Sequence, residues 1–67
     1  MIKVETFYDV EMSLSEACEE TAKKMESWLN DNIERNNIIK IIAITESIGD
    51  CTSSRTVVAE VENNLFF

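Results

Sequence analysis

Residues 13–35 have the sequence SLSEACEETAKKMESWLNDNIER, and this stretch decides the fold. Small and apolar side chains recur in it at intervals of three and four residues, the spacing that keeps one face of an α-helix apolar. Ser13 stands three residues before Glu16, an arrangement in which a serine caps the first turn of a helix. Two asparagines follow the stretch, and asparagine tolerates the left-handed conformation in which helices end. We predict an amphipathic helix over residues 14–35.

The segments on both sides of this helix have the composition of β-strands. Residues 2–11 alternate, with one apolar side and one mostly charged side; Phe7 stands on the charged side, and the apolar side is Ile2, Val4, Thr6, Tyr8 and Val10. Residues 38–48 are rich in isoleucine on both faces, and residues 54–62 alternate again. We therefore predict three strands, at 2–11, 38–48 and 54–62.

The order of these elements predicts an α+β fold of β-α-β-β type in two layers. A helical crossover makes the first two strands parallel, and a hairpin makes the last two antiparallel. The expected architecture is a three-stranded mixed sheet with one amphipathic helix on one face. The strand at 38–48 is the most apolar and is expected at the centre. Residues 1–67 form a single domain that ends in an apolar tail at 63–67.

Composition excludes several classes of function. The chain has 67 residues, no histidine, two cysteines, one glycine and a formal net charge of −7. Without histidine a Ser–His or Cys–His nucleophile cannot be built, and a single glycine makes no phosphate loop. The negative charge disfavours direct contact with nucleic acid or anionic membranes. We predict no enzyme activity, no metal and no cofactor. With no signal peptide or membrane span in the sequence, we expect a cytoplasmic protein.

A single helix cannot cover both faces of a sheet, so this fold leaves apolar surface exposed. Soluble monomers seldom expose a contiguous apolar patch, and a chain this small has few other means of stabilisation. We therefore predict a homo-oligomer, most simply a dimer, joined through the open sheet face or by exchange of the tail. The predicted interface residues are Phe7, Ile42, Ile44, Val58, Leu65, Phe66 and Phe67.

Two other surfaces carry hypotheses from different classes. The expected loop between the last two strands holds a glycine, three hydroxyls and an arginine, which suit a phosphate or another small anion. Its candidate ligand-binding residues are Gly49, Thr52, Ser53, Ser54 and Arg55. An ordinary polar hairpin loop has the same composition. The acidic N-terminal third could instead mimic nucleic-acid phosphates and block a basic protein, but Lys23 and Lys24 dilute its charge, which favours an ordinary solvated face.

The opening MIKVETFYD, the helix after it and the segment NIIKIIAIT resemble a family of very short sporulation-associated proteins of Gram-positive bacteria, some of them carried by phages. The resemblance implies a bacterial or phage origin and no particular activity. Three functions remain open: a small homo-oligomeric protein-interaction module that acts as a regulator or inhibitor, a phage counter-defence protein that sequesters a nucleotide at residues 49–55, and an acidic mimic that occupies a nucleic-acid-binding protein.

Overall fold

The computed structural model describes residues 1–62 and contains three strands and one helix. The elements are β1 (Ile2–Val10), α1 (Leu14–Glu34), β2 (Ile38–Gly49) and β3 (Thr52–Val61). The predicted α+β class and the β-α-β-β order are confirmed, with each boundary within two residues of its expected position. The predicted tail at 63–67 lies outside the described residues.

Helix α1 begins and ends where its local sequence predicts. The Ser13 hydroxyl accepts a hydrogen bond from the backbone N–H of Glu16 at 3.3 Å. At the other end Asn36 adopts a left-handed φ of 57°. The N–H of Asn37 reaches the carbonyl of Asn32 at 2.9 Å, and that of Asn36 reaches Ile33 at 3.0 Å. This pair of bonds satisfies carbonyls that the end of a helix otherwise leaves without partners.

The strand order is β1-β3-β2, and both pairs are antiparallel. The predicted mixed sheet and central β2 are therefore wrong. Strands β1 and β2 do run in the same direction, as a crossover requires, but β3 lies between them. The isoleucines of β2 indicated burial on both faces. The strand instead carries two irregularities, at Ile38/Lys40 and Ile41/Ala43, of the kind that edge strands tolerate.

The hydrophobic core is small and lies between α1 and the central strand. Val57, Ala59 and Val61 of β3 are buried, and Ala17 of α1 is buried as well. Around them pack partly buried side chains from every element: Phe7, Met25, Trp28, Leu29, Ile38 and Ile41. The helix lies mainly over β3 and β1. Two β2 side chains that pair with helix-facing residues of β3, Ile44 and Ile48, consequently stay exposed.

Strand β1 has the opposite orientation to the one that its alternation suggests. Its charged side, with Phe7, faces the helix layer, while Ile2, Val4 and Tyr8 face away from it. The Phe7 ring meets the Trp28 ring edge-on, with ring centroids 5.9 Å apart. The charged side chains beside Phe7 are partly covered: those of Lys3, Glu5 and Asp9 are 19%, 33% and 18% exposed. One aromatic anchor thus determines the orientation of nine residues.

Candidate functional site

Within residues 1–62, the sheet face that the helix does not cover, here called the open face, carries several exposed apolar side chains. Residues paired across antiparallel strands share a face, so the pairing register defines it. The described residues of the open face are Ile2, Val4, Thr6, Tyr8 and Val10 on β1, Thr52, Ser54, Thr56, Val58 and Glu60 on β3, and Lys40, Ala43, Thr45, Ser47 and Gly49 on β2.

The apolar members of the open face are well exposed. On β1, Ile2, Val4, Tyr8 and Val10 are between 54% and 58% accessible to solvent. Two further isoleucines, Ile39 and Ile42, lie at the irregularities of β2 and are 55% and 49% exposed. Scattered apolar side chains are normal on a surface, whereas a contiguous group across a whole sheet indicates a binding surface.

The open face is organised in rows that cross the sheet. Val4, Val58 and Ala43 are aligned by the register and form an apolar row through all three strands. The next row toward the hairpin aligns Thr6 and Thr56 with Thr45, and the hydroxyls of Thr6 and Thr56 are hydrogen-bonded at 3.0 Å. The half of the face on the Val58 side of this threonine row holds more aliphatic side chains than the half near the hairpin, and it also holds Lys40 and Glu60 at its end.

Charge is scarce on the open face. Its described residues include one cation and one anion, Lys40 and Glu60, which pair across β2 and β3. The chain as a whole carries 13 acidic and 6 basic residues. Because the face is locally neutral, the excess negative charge lies on the helix and on the flanks. Depletion of charge is typical of the buried centre of a protein–protein interface.

The predicted interface residues have different outcomes. Val58 lies on the open face, and Ile42 lies at the second irregularity of β2 opposite it. Phe7 was expected on the open face and lies instead in the core beside Trp28, so that prediction is wrong. Ile44 was also expected on the open face, but it pairs with the helix-facing Val57, so that prediction is wrong; it is exposed at the β2 edge. The predicted residues Leu65, Phe66 and Phe67 lie outside the described part of the chain.

Ile2, Val4, Tyr8 and Val10 on β1 were expected to face the core and lie on the open face instead. Alternation distinguishes two sides of a strand without saying which side faces the core. The predicted orientation of β1 placed its apolar side toward the core. Phe7 was the available signal, because a large aromatic side chain in a small domain is seldom left in water.

The predicted anion-binding loop is not assembled. The connection between β2 and β3 is only Asp50–Cys51, and the four candidates from Thr52 to Arg55 belong to β3. Their side chains alternate between the two faces of the sheet, and Ser53 is 1% exposed. Gly49 has no positive φ; the residue with a left-handed φ, of 56°, is Cys51.

Hydrogen bonds and an ion pair already occupy the polar groups of these candidates on the helix side. The Ser53 hydroxyl is hydrogen-bonded to the buried Thr21 hydroxyl at 2.9 Å. Arg55 forms a 2.8 Å ion pair with Glu46, and its Nε donates to the Thr21 hydroxyl at 3.4 Å. Thr21 also donates to the carbonyl of Cys18 at 3.1 Å. This network connects α1 to the central strand and gives these residues a structural role.

The acidic N-terminal region contains a pair of carboxyl groups that interact at the end of β1. A hydrogen bond with Glu11 lowers the pKa of Asp9, and the adjacent Lys24 amine lowers it further. The same hydrogen bond raises the pKa of Glu11, with added repulsion from Asp9, Glu20 and Glu16. Lys24 and Asp9 are 3.2 Å apart. The acidic surface is thus partly neutralised from within the chain.

A shallow groove runs between α1 and β1 and is lined by Phe7, Lys23, Lys24, Ser27, Trp28 and Asp31. Its charged side chains already have partners. Lys23 pairs with Glu19 and Glu20, Lys24 with Asp9, and Asp31 with Arg35. The groove therefore offers little free charge to a ligand.

Within residues 1–62, no group of three or more potential metal ligands comes together. The helix in that range is also not apolar enough to cross a membrane. No protein-family model, curated protein or solved structure matches the chain. The resemblance to short sporulation-associated proteins accordingly stays a prediction.

Proposed function

We propose that this protein is a small, non-enzymatic, homo-oligomeric interaction module of the cytoplasm. Its binding surface is the open face of the sheet. It acts as a regulator or inhibitor, and the resemblance to sporulation-associated and phage-carried proteins suggests a bacterial or phage origin. A genomic neighbourhood of sporulation, prophage or defence genes would indicate which process it regulates.

The observation that carries the proposal is the exposure of Ile2, Val4, Tyr8 and Val10 along one side of β1. The sequence places aliphatic and aromatic residues there in strict alternation, while the acidic residues of β1 face the other side. An exposed apolar strand face is an aggregation hazard unless another surface covers it. A protein partner supplies that cover and gains the free energy of burying the apolar area.

The other two hypotheses have less support in the geometry. A phosphate-binding loop needs convergent donors, and here Ser53 and Arg55 are bonded to Thr21 and Glu46. An acidic mimic needs carboxylates that present charge to a partner, and Asp9 is paired with Lys24. The open face needs no rearrangement before it can bind.

Two matched variants test the proposal by light scattering coupled to size exclusion. Val4 on the open face and Ile33 at the end of α1 are equally exposed, at 57% and 56%. We expect wild type to elute with twice the 7.7 kDa mass of the chain. Val4→Lys should shift the protein to a monomer, because a charge at an interface centre must be desolvated. Ile33→Lys should keep the wild-type mass.

A wild-type protein that stays a monomer at high micromolar concentration would contradict self-association. Equal effects of the two substitutions would show that the open face has no special role. The lysine at position 33 lies in the last turn of the helix, where a positive charge is favourable, so the control should fold well.

A further inference from the structure

The geometry points to a specific mode of self-association: two copies stack their open faces against each other around Val58, and their helices lie on the outside. The resulting assembly has four layers, helix, sheet, sheet and helix. This inference rests on the proposed function. It goes further by choosing face stacking over the other common mode, in which two edge strands pair to extend one sheet.

The β2 edge is poorly suited to strand pairing over residues 38–43, where its backbone is irregular. The register shifts between Ile38 and Lys40 and between Ile41 and Ala43 interrupt the ladder. Such bulges twist an edge away from an incoming strand and are a usual protection against edge-to-edge association.

The β1 edge is protected by charge. Met1 exchanges hydrogen bonds with Val61, and Glu11 N–H bonds to the carbonyl of Cys51, so odd-numbered residues bond to β3. Even-numbered residues therefore direct their N–H and C=O groups to the free edge. There the Lys24 amine donates to the carbonyl of Tyr8 at 3.0 Å.

Charged side chains on the helix side of β1 add to this protection. Lys3 and Glu5 are 3.5 Å apart, and Asp9 pairs with Lys24. A strand added to the β1 edge would have to displace Lys24 and approach this row of charges. Inward-pointing charges on an edge strand are a recurrent means of blocking further pairing.

The open face has none of these protections, and its charge suits a second copy. A chain with a net charge of −7 repels its own copy through most surfaces. The open face presents one positive and one negative residue, Lys40 and Glu60, which lie opposite each other in the register of β2 and β3. A strongly basic partner would find little to recognise there, whereas an identical neutral face meets no repulsion.

The size of the face also suits a dimer. The two longer extents of the molecule are 37 and 17 Å, helix included, so the open face measures at most about 600 Å². This is the same order as the roughly 800 Å² that each partner contributes to a stable interface. The apolar row of Val4, Val58 and Ala43 lies in the more aliphatic half of the face, and Val58 is its middle member. Val58 is therefore the expected contact centre.

Thiol cross-linking distinguishes stacking from edge pairing. In a stack centred on Val58, the two Val58 side chains point toward each other across sheets about 10 Å apart. With edge pairing through β1, the two β3 strands are three strand spacings apart, about 14 Å, and their side chains point in the same direction. Thr6, at the midpoint of β1, behaves oppositely: its two copies are about 5 Å apart in a centred edge pair and roughly 14 Å apart in a stack whose twofold axis runs along the strands.

The experiment compares Val58→Cys with Thr6→Cys in a background in which Cys18→Ala and Cys51→Gly remove the native thiols. Each variant is treated with dibromobimane, which fluoresces after both of its arms have reacted. Cysteine behaves as a small apolar residue, so both variants should fold, which circular dichroism checks. We expect a fluorescent covalent dimer from Val58→Cys, at least about tenfold more than from Thr6→Cys.

Other outcomes overturn the inference. A covalent dimer from Thr6→Cys in place of Val58→Cys would show edge pairing. No cross-link from either variant, with a wild type that is dimeric by light scattering, would place the interface elsewhere and leave self-association intact. A monomeric wild type would remove the proposed self-association and the stacking inference together.

Discussion

The buried bond between Thr21 and Ser53 is the most direct test of how α1 is held on the sheet. Thr21 is fully buried and Ser53 nearly so, and their hydroxyl oxygens are 2.9 Å apart. Thr21→Val preserves the shape of the side chain and removes its hydroxyl. The Ser53 hydroxyl is then left buried without this partner, which should lower the free energy of unfolding by about 1–3 kcal/mol.

Removing the other hydroxyl, by Ser53→Ala, should lower the free energy of unfolding by less. After Ser53→Ala, the Thr21 hydroxyl still donates to the carbonyl of Cys18 and accepts from Arg55. No buried group loses all its partners, so we expect a loss of about 0.5–1 kcal/mol. The double variant removes both hydroxyls at once. Its cost should be smaller than the sum of the single costs by about 1 kcal/mol, because neither partner remains unsatisfied.

Urea unfolding followed by Trp28 fluorescence measures all four proteins. Protein concentration must be equal throughout, since the apparent stability of an oligomer depends on it. For a 67-residue chain the total free energy of unfolding is about 3–10 kcal/mol, so the expected loss in Thr21→Val is a large fraction of it. Strictly additive losses of unfolding free energy, or a Thr21→Val variant as stable as wild type, would refute the idea that this bond holds the helix on β3.

Two further predictions concern the ends of β1 and β3. The raised pKa of Glu11, caused by its hydrogen bond and repulsion with Asp9, means that the folded state binds the proton more tightly than the unfolded chain. Stability from this group is then present at low pH and is lost as pH rises through the raised pKa. Glu11→Gln should therefore have a higher Tm than wild type at neutral pH, and the difference should vanish in acid. A difference that is constant with pH, or is matched by Glu26→Gln on the exposed side of α1, would contradict this reasoning. At the hairpin, Cys51 has a left-handed φ of 56°, which costs a residue with a Cβ on the order of 1 kcal/mol. Cys51→Gly should raise the free energy of unfolding by about 0.5–1 kcal/mol. Cys51→Ala keeps the Cβ and should not raise it. If urea unfolding shows equal effects of the two substitutions, the left-handed backbone at position 51 is not strained.

Local signals predicted the elements of this fold well. The serine cap, the periodic apolar face and the asparagine stop each depend on nearby residues, and α1 begins and ends as they indicate. The hairpin between β2 and β3 is likewise predicted from residues close together in the sequence. These features need no knowledge of distant contacts, so a single sequence is enough to predict them.

Strand order and strand orientation depend on distant contacts, and both were partly mispredicted. The apolar content of β2 suggested a central strand, but its irregular backbone suits an edge and the regular β3 suits the centre. On β1, the pairing of Phe7 with Trp28 outweighs the cost of placing charged residues near the helix. The number of layers was enough to predict an uncovered apolar face. The residues on that face depend on which side of β1 faces the helix, and that orientation was mispredicted.

The proposed anion site illustrates a different difficulty. Gly49, the hydroxyl residues and Arg55 are adjacent in sequence, which made them look like one loop. Two-residue connections leave such residues in the strands, where alternate side chains face opposite layers. Ser53 and Arg55 became part of a network with Thr21 and Glu46, and composition alone does not distinguish that outcome from a binding loop.

The most direct test of the central idea is a nuclear Overhauser measurement on a mixture of carbon-13-labelled and unlabelled protein, filtered for contacts between different copies. We predict intermolecular contacts among the methyl groups of Val4, Val58 and Ala43, and none from the methyl groups of α1. A dimer with intermolecular contacts confined to α1 would contradict the open face as the shared surface, and a spectrum without intermolecular contacts would contradict self-association itself.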